Sequence, residues 1–226
     1  MFKEIKNLFF LFFLLSIVLA IFPTLDILFS SFFYRGENQF VVQHYLVSWV
    51  YFYEFIIRDI FMPLIIIFLL FFPILIKFFT YTKNKFYQYD FNYKDIGYIW
   101  LSTVIISFVI SYVLKNNLGR ARPVDTVEFG GDKEFSSWIE YSSECIDNCS
   151  FVSGDSSVGF FIACLYFITK KIKYFYISIV AGLLIGFVRI GAGGHFLSDV
   201  LMSFVIVNFI LFIVYYYFEK WNKTKT

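Results

Sequence analysis

Histidine is nearly absent from this chain: His44 and His195 are the only two in 226 residues. Cysteine is almost as scarce, at three. Cys145 and Cys149 offer two thiols with no histidine nearby, too few donors for a zinc site. One histidine among scattered carboxylates is equally poor material for a two-metal hydrolase. Charge is thin as well, at 16% of residues, against 59% hydrophobic and 24% aromatic. Mean hydropathy is +0.71. A water-soluble domain of this length cannot bury that much apolar surface, so lipid must be the solvent for much of the chain.

A bilayer core takes roughly 20 apolar residues per helix. Charge-poor runs at about 8–25, 60–76, 96–114, 156–169, 174–188 and 200–218 read as six spans. The fourth and fifth are separated only by Lys170, Lys171, Ile172 and Lys173. One straight helix through them would place three lysines in the membrane at about 3 kcal/mol each, so a tight hairpin is expected there. The fold class implied is all-α: a polytopic membrane protein whose whole length, 1–226, forms one membrane-embedded domain. The apolar N-terminal run is too long for a signal peptide and no clean cleavage site follows, so it reads as a retained first helix.

Orientation follows from the basic residues. The N-terminus, 77–95, 170–173 and the C-terminus together hold 12 of the 19. Of the other seven, four (Lys115, Arg120, Arg122 and Arg189) belong to polar clusters described next. The lysine-rich side with both termini is therefore read as cytoplasmic. The loops 26–59 and 115–155 and the turn 189–199 then face outward. Segment 35–59, with His44, Trp49 and Tyr51 among apolar residues, is expected to lie along the interface, His44 as a bystander.

Three polar clusters fall on that outer side. KNNLGRARP, 115–123, brings Lys115 and Arg122 seven residues apart. A guanidinium fork matches phosphate oxygens and an ammonium adds a point charge. Arg120 is the weaker candidate, and snorkelling at a helix end is the bland alternative for the set. FVSGDSS, 151–157, offers Ser153, Gly154 and Asp155 at a helix start, where free amides attract anions and where a plain helix cap is equally consistent. VRIGAGGHFLSDV supplies Arg189, His195 and Asp199. The histidine and aspartate are four apart, so on a helix they share a face and the carboxylate holds the imidazole in one tautomer. Cations, a histidine–aspartate pair and an anion cradle together suit a phosphate monoester at headgroup level. Cys145 and Cys149 close a disulfide if their loop meets an oxidising space, and otherwise stay as thiols.

These motifs resemble those of the type 2 phosphatidic acid phosphatase superfamily of lipid phosphate phosphatases. Its K-x6-R-P is complete as Lys115 to Arg122-Pro123, and its S-R-x5-H-x3-D is present as Arg189, His195 and Asp199 with Val188 in place of the serine. Its P-S-G-H becomes Val152-Ser153-Gly154-Asp155. The resemblance covers roughly 96–218, with core motifs at 115–199. It implies a cofactor-free, metal-independent phosphatase. Lys115, Arg122, Arg189, Ser153 and Gly154 would bind phosphate, His195 would be the nucleophile and Asp199 its orienting partner. The missing histidine would have been the general acid. Asp155 in its place either takes over that role or shapes substrate choice, an aspartate being normally ionised near neutral pH.

The aspartate variant, preceded by CIDNCSFV at 145–152, looks like the bacterial lipid A 4′-phosphatases. That implies a lipid substrate in the inner (cytoplasmic) membrane and an active site facing the periplasm. Nothing points to nucleic acid or to a particular protein partner. Other phosphate substrates remain open at this stage: lipid A 1-phosphate, phosphatidylglycerol phosphate, phosphatidic acid and undecaprenyl pyrophosphate. So does a non-catalytic phospholipid binder or transporter on the same scaffold.

Overall fold

The computed structural model describes residues 2–42, 56, 60, 63–68, 71 and 93–223. Helix α1, Phe2–Ile21, runs without proline or glycine until Pro23 ends it. Proline suits the start of a helix, where its missing N–H costs nothing, and α2, Thr24–Ser31, leaves at 101° to α1. A small antiparallel hairpin follows, β1 (Tyr34–Gly36) and β2 (Gln39–Phe40), a departure from the all-α expectation. Next come α3, Tyr93–Phe108, widening into π-helical turns over Val109–Lys115, then α4, Gly154–Phe161, and α5, Cys164–Thr169. The chain ends with α6, Lys173–Gly191, and α7, Leu197–Lys223.

Among the described residues, three helices are long and apolar enough to cross a membrane: Lys94–Lys115, Lys173–Gly191 and Leu197–Lys220. The bent pair Ile5–Ile21 and Thr24–Ser31 makes a fourth if taken together, and Gly154–Thr169 is a shorter apolar stretch. The run 60–76 lies mostly outside the described residues, as do His44, Trp49 and Tyr51. At the lysine cluster, Lys170 turns left-handed, its N–H bonds the Tyr166 carbonyl at 2.8 Å, and α6 begins three residues on. Large side chains such as Phe10, Leu64, Val180, Leu184 and Phe209 face outward, as lipid requires.

Helix α7 is the axis of the bundle: 72% of its span window is buried, against 39% for each of the other two long spans. Phe12 of α1 lies 4.2 Å, centroid to centroid, from Phe204 of α7. Helices α4 and α6 touch backbone to backbone. A Cβ on Gly159 would stand 2.6 Å from the Gly182 nitrogen, so a larger residue forces the pair apart. That contact holds the start of α4 beside the end of α6, and both ends carry polar residues.

Candidate active site

The N-terminus of α4 is built by Ser153, whose hydroxyl accepts from the Ser156 N–H at 3.4 Å and lies 2.9 Å from the Ser156 hydroxyl. Its carbonyl also accepts from Ser203 of α7 at 2.9 Å. Ser153 is thus fully buried and tied to α7, with its hydroxyl serving as the helix cap. Gly154 follows. The nearest atom to a Cβ placed there would be the Lys115 ammonium nitrogen, 4.0 Å away, so the lysine at the end of α3's extension reaches the start of α4.

Asp155 forms an ion pair with Arg189, Oδ2 to Nε at 2.9 Å, too bent at Nε for a hydrogen bond. The guanidinium packs close against Gly194, where a Cβ would come within 2.6 Å of Nη2. Gly193 turns left-handed, φ +64°, just before it, and so swings the chain from α6 toward α7. Lys115 donates to Oδ1 of Asn148 at 3.3 Å, and Arg122 grips the Asn148 carbonyl with Nε at 3.0 Å and Nη2 at 2.8 Å.

His195 is buried, and its Nδ1 lies 2.7 Å from the Ser150 carbonyl. A carbonyl only accepts, so Nδ1 carries the proton and Nε2 keeps its lone pair, the tautomer a nucleophile needs. Burial first, then the charges of Arg189 and Lys115, lower its pKa to about 4 against the pull of Asp199. The imidazole is therefore neutral at physiological pH.

Asp199 differs from the expectation. Its Oδ2 is 3.7 Å from His195 Nδ1, within ion-pair reach but farther than the Ser150 carbonyl. The reason is local. Helix α7 begins at Leu197, so His195 stands before it and the helical spacing of four does not apply. The carboxylate is held instead by Arg120 Nη1 at 2.5 Å, the Ser150 hydroxyl at 2.5 Å and the Phe196 N–H at 2.8 Å.

Arg120, the weaker candidate from sequence, is 1% exposed. It spans Asp199 and Asp26 of α2, with Nη2 to Asp26 at 2.9 Å, and also donates to the Ser198 hydroxyl at 2.8 Å and the Ser136 carbonyl at 2.9 Å. Phe196 lies against its face, 4.3 Å from the ring centroid. Burial lowers its pKa, but the two carboxylates outweigh that and the net shift is upward. Asp26 also takes the Ser198 N–H at 3.0 Å and the Ser198 hydroxyl, and so caps α7 from the far end of the sequence. The signal available for Asp26 was an acid inside an apolar run, which in a membrane asks for a partner.

The structure brings Lys115 and Arg122 together through Asn148, joins Asp155 to Arg189, and links His195 to Asp199 through Ser150. Lys115 also reaches Gly154, and Ser153 donates its N–H to the Asp199 carbonyl at 3.3 Å. Cys145 and Cys149 form a disulfide with a Cα–Cα distance of 5.5 Å, and Cys164 is a buried free thiol. Among the described residues no group of three His, Cys, Asp or Glu is placed to hold a metal ion. Asp155, Asp199 and Asp26 each face a guanidinium, Asp155 that of Arg189 and the other two that of Arg120.

The family model described as "PAP2 superfamily" matches residues 97–223. The lipid A 4′-phosphatase of Francisella tularensis subsp. novicida (strain U112) is 34% identical over 205 residues, covering 88% of each chain. The lipid A 4′-phosphatase of Rhizobium leguminosarum is 34% identical over 110 residues, 46% of this chain and 47% of that one. That of Rhizobium etli is 34% identical over 113 residues, 49% and 43% of the two chains. No solved structure matches. The chain belongs to the PAP2 superfamily and is a phosphoric monoester hydrolase.

Proposed function

We propose that this protein removes the 4′-phosphate of lipid A at the outer face of a bacterial inner membrane, with six spans, both termini in the cytoplasm and the site at the periplasmic membrane edge. The observation that carries the chemistry is His195, neutral and fixed by the Ser150 carbonyl, beside Lys115 and Arg189. The substrate rests on the relatives' names and on the aspartate at position 155.

Lys115, Arg122 and Arg189 hold the phosphate oxygens, helped by the Ser153–Gly154 turn. Phosphate and Asp155 compete for Arg189, so substrate entry releases the carboxyl to stand near the leaving oxygen. Nε2 of His195 attacks phosphorus in line as the phosphorus–sugar oxygen bond breaks, and Asp155, which takes a proton from water once phosphate has displaced it from Arg189, passes that proton to the leaving oxygen. Water then cleaves the phosphohistidine and frees phosphate. Asp199, anchored by Arg120, steadies the charge on the imidazole. Most of the rate comes from positioning and charge stabilisation.

The test is mass spectrometry of lipid A from cells expressing wild type or His195→Ala. The expected result is loss of one phosphate in the wild type alone, with fragmentation placing it at the 4′ position. Loss at the 1-position keeps the chemistry and overturns the substrate. Unchanged lipid A with folded protein in the membrane removes the lipid A reading altogether.

A further inference from the structure

Between Cys145 and Cys149 the chain makes a five-residue loop closed by the disulfide. Its Asn148 touches two of the phosphate-binding cations, Lys115 through its side chain and Arg122 through its carbonyl. Asn148 is left-handed, φ +50°, a conformation asparagine tolerates better than other residues with a Cβ. Its N–H bonds Asp147 Oδ1 at 2.8 Å. The loop is pinned to the motif it serves, with Cys145 N–H on the Gly119 carbonyl at 3.0 Å and Ser150 N–H on the Arg120 carbonyl at 2.9 Å.

We propose that Asn148, presented by the Cys145–Cys149 ring, is a positioning residue that sets Lys115 and Arg122 for phosphate. This rests on the reading of those two cations as phosphate-binding. Like charges brought close repel. Two oxygens of one residue placed against both cations offset that repulsion before any anion arrives, so the phosphate meets a pair already in register. The next residue but one, Ser150, holds the nucleophile. One covalently closed ring thus indexes the cations and His195 to each other.

The experiment uses the full chain in detergent and measures the affinity for orthovanadate, a phosphate-shaped anion, together with KM and kcat on lipid substrate. Asn148→Gly keeps the left-handed turn and deletes the Lys115 contact. It is expected to weaken vanadate and raise KM roughly tenfold, the scale of one hydrogen bond to a charged group, with a smaller change in kcat. Asn148→Val disfavours the left-handed turn and is expected to weaken both further. A dithiol reductant, applied to the wild type and removed before vanadate (which it would itself reduce) is added, breaks the disulfide; two electrons and two protons pass to Cys145 and Cys149 while the reagent closes to its cyclic disulfide. The expected result is the same weakening, reversed on reoxidation. Unchanged or tighter vanadate binding in Asn148→Gly overturns the proposal, and unchanged binding after reduction overturns the part given to the ring. Vanadate binding by a wild type inert on lipid A would sink the substrate and leave this role standing. No vanadate binding by the wild type would sink both.

Discussion

Arg120→Met is the sharpest test of how the site is held. The guanidinium is the one cation between two buried carboxylates, 2.5 Å from Asp199 and 2.9 Å from Asp26. Methionine roughly fills the volume and removes the charge, which strands both carboxylates out of water. Breaking a buried ion pair by deleting one partner costs about 3–5 kcal/mol. Denaturant unfolding in mixed micelles should show a loss of that size, and turnover per folded molecule should fall as Asp199 loses its anchor. Arg120→Lys keeps the charge but cannot reach Asp26, Asp199, Ser198 and Ser136 at once, so an intermediate loss is expected. Adding Asp26→Leu to Arg120→Met removes one stranded carboxylate. The double variant should therefore be about 1–3 kcal/mol more stable than the two single effects summed. Strict additivity, or an Arg120→Met protein of wild-type stability and activity, would refute the network as the support of the site.

Gly194→Ala places a methyl 2.6 Å from Arg189 Nη2, so it should shift the guanidinium and raise KM more than it lowers kcat. Asp155→Asn should cut kcat by about a hundredfold or more if Asp155 donates the proton; near-normal turnover with altered lipid preference would assign it to substrate choice. The pKa of His195, lowered by burial to about 4, keeps the imidazole neutral down to that pH, so any acid limb of kcat/KM due to it should fall near 4 rather than 6.5. The same shift means the unfolded chain takes up this proton first, so its contribution to stability is full above about 6.5 and is lost as pH falls toward 4. Gly119→Ala combines a left-handed φ of +56° with a Cβ 1.9 Å from the Ser142 carbonyl, and should destabilise the protein by more than the roughly 1 kcal/mol of a left-handed penalty alone, read by unfolding in micelles.

Lys115, Arg122, Arg189 and His195 were legible because their spacing is fixed by short stretches at helix ends, where sequence distance and spatial distance nearly agree. The hairpin at Lys170–Lys173 was legible because charge in lipid is costly. Asp26 was not, because its partner Ser198 lies 172 residues away and no local pattern joins them. Ser150 acts on His195 through its backbone carbonyl, which no side chain advertises. Arg120 read as the weaker candidate because it falls outside the motif positions, and no local pattern separates a snorkelling arginine from one that is fully enclosed. His195 and Asp199 do lie side by side, 3.7 Å apart, but the nearer partner of the imidazole, the Ser150 carbonyl, comes from another loop. The β1–β2 hairpin rests on Phe40, which packs on Tyr34 and on Phe129, far from it in sequence.

The long loop after Lys115 is fastened at several points. Arg120 anchors its start, Ser142 N–H bonds the Leu118 carbonyl at 3.0 Å, and Trp138 donates to the Ser16 carbonyl of α1 at 2.8 Å while stacking on Phe151. A segment so tied has already surrendered its conformational entropy at folding, so it costs substrate nothing to order and cannot swing closed over it. It is a wall. Screening by closure is not available to this loop, and discrimination falls to the fixed shape the wall presents.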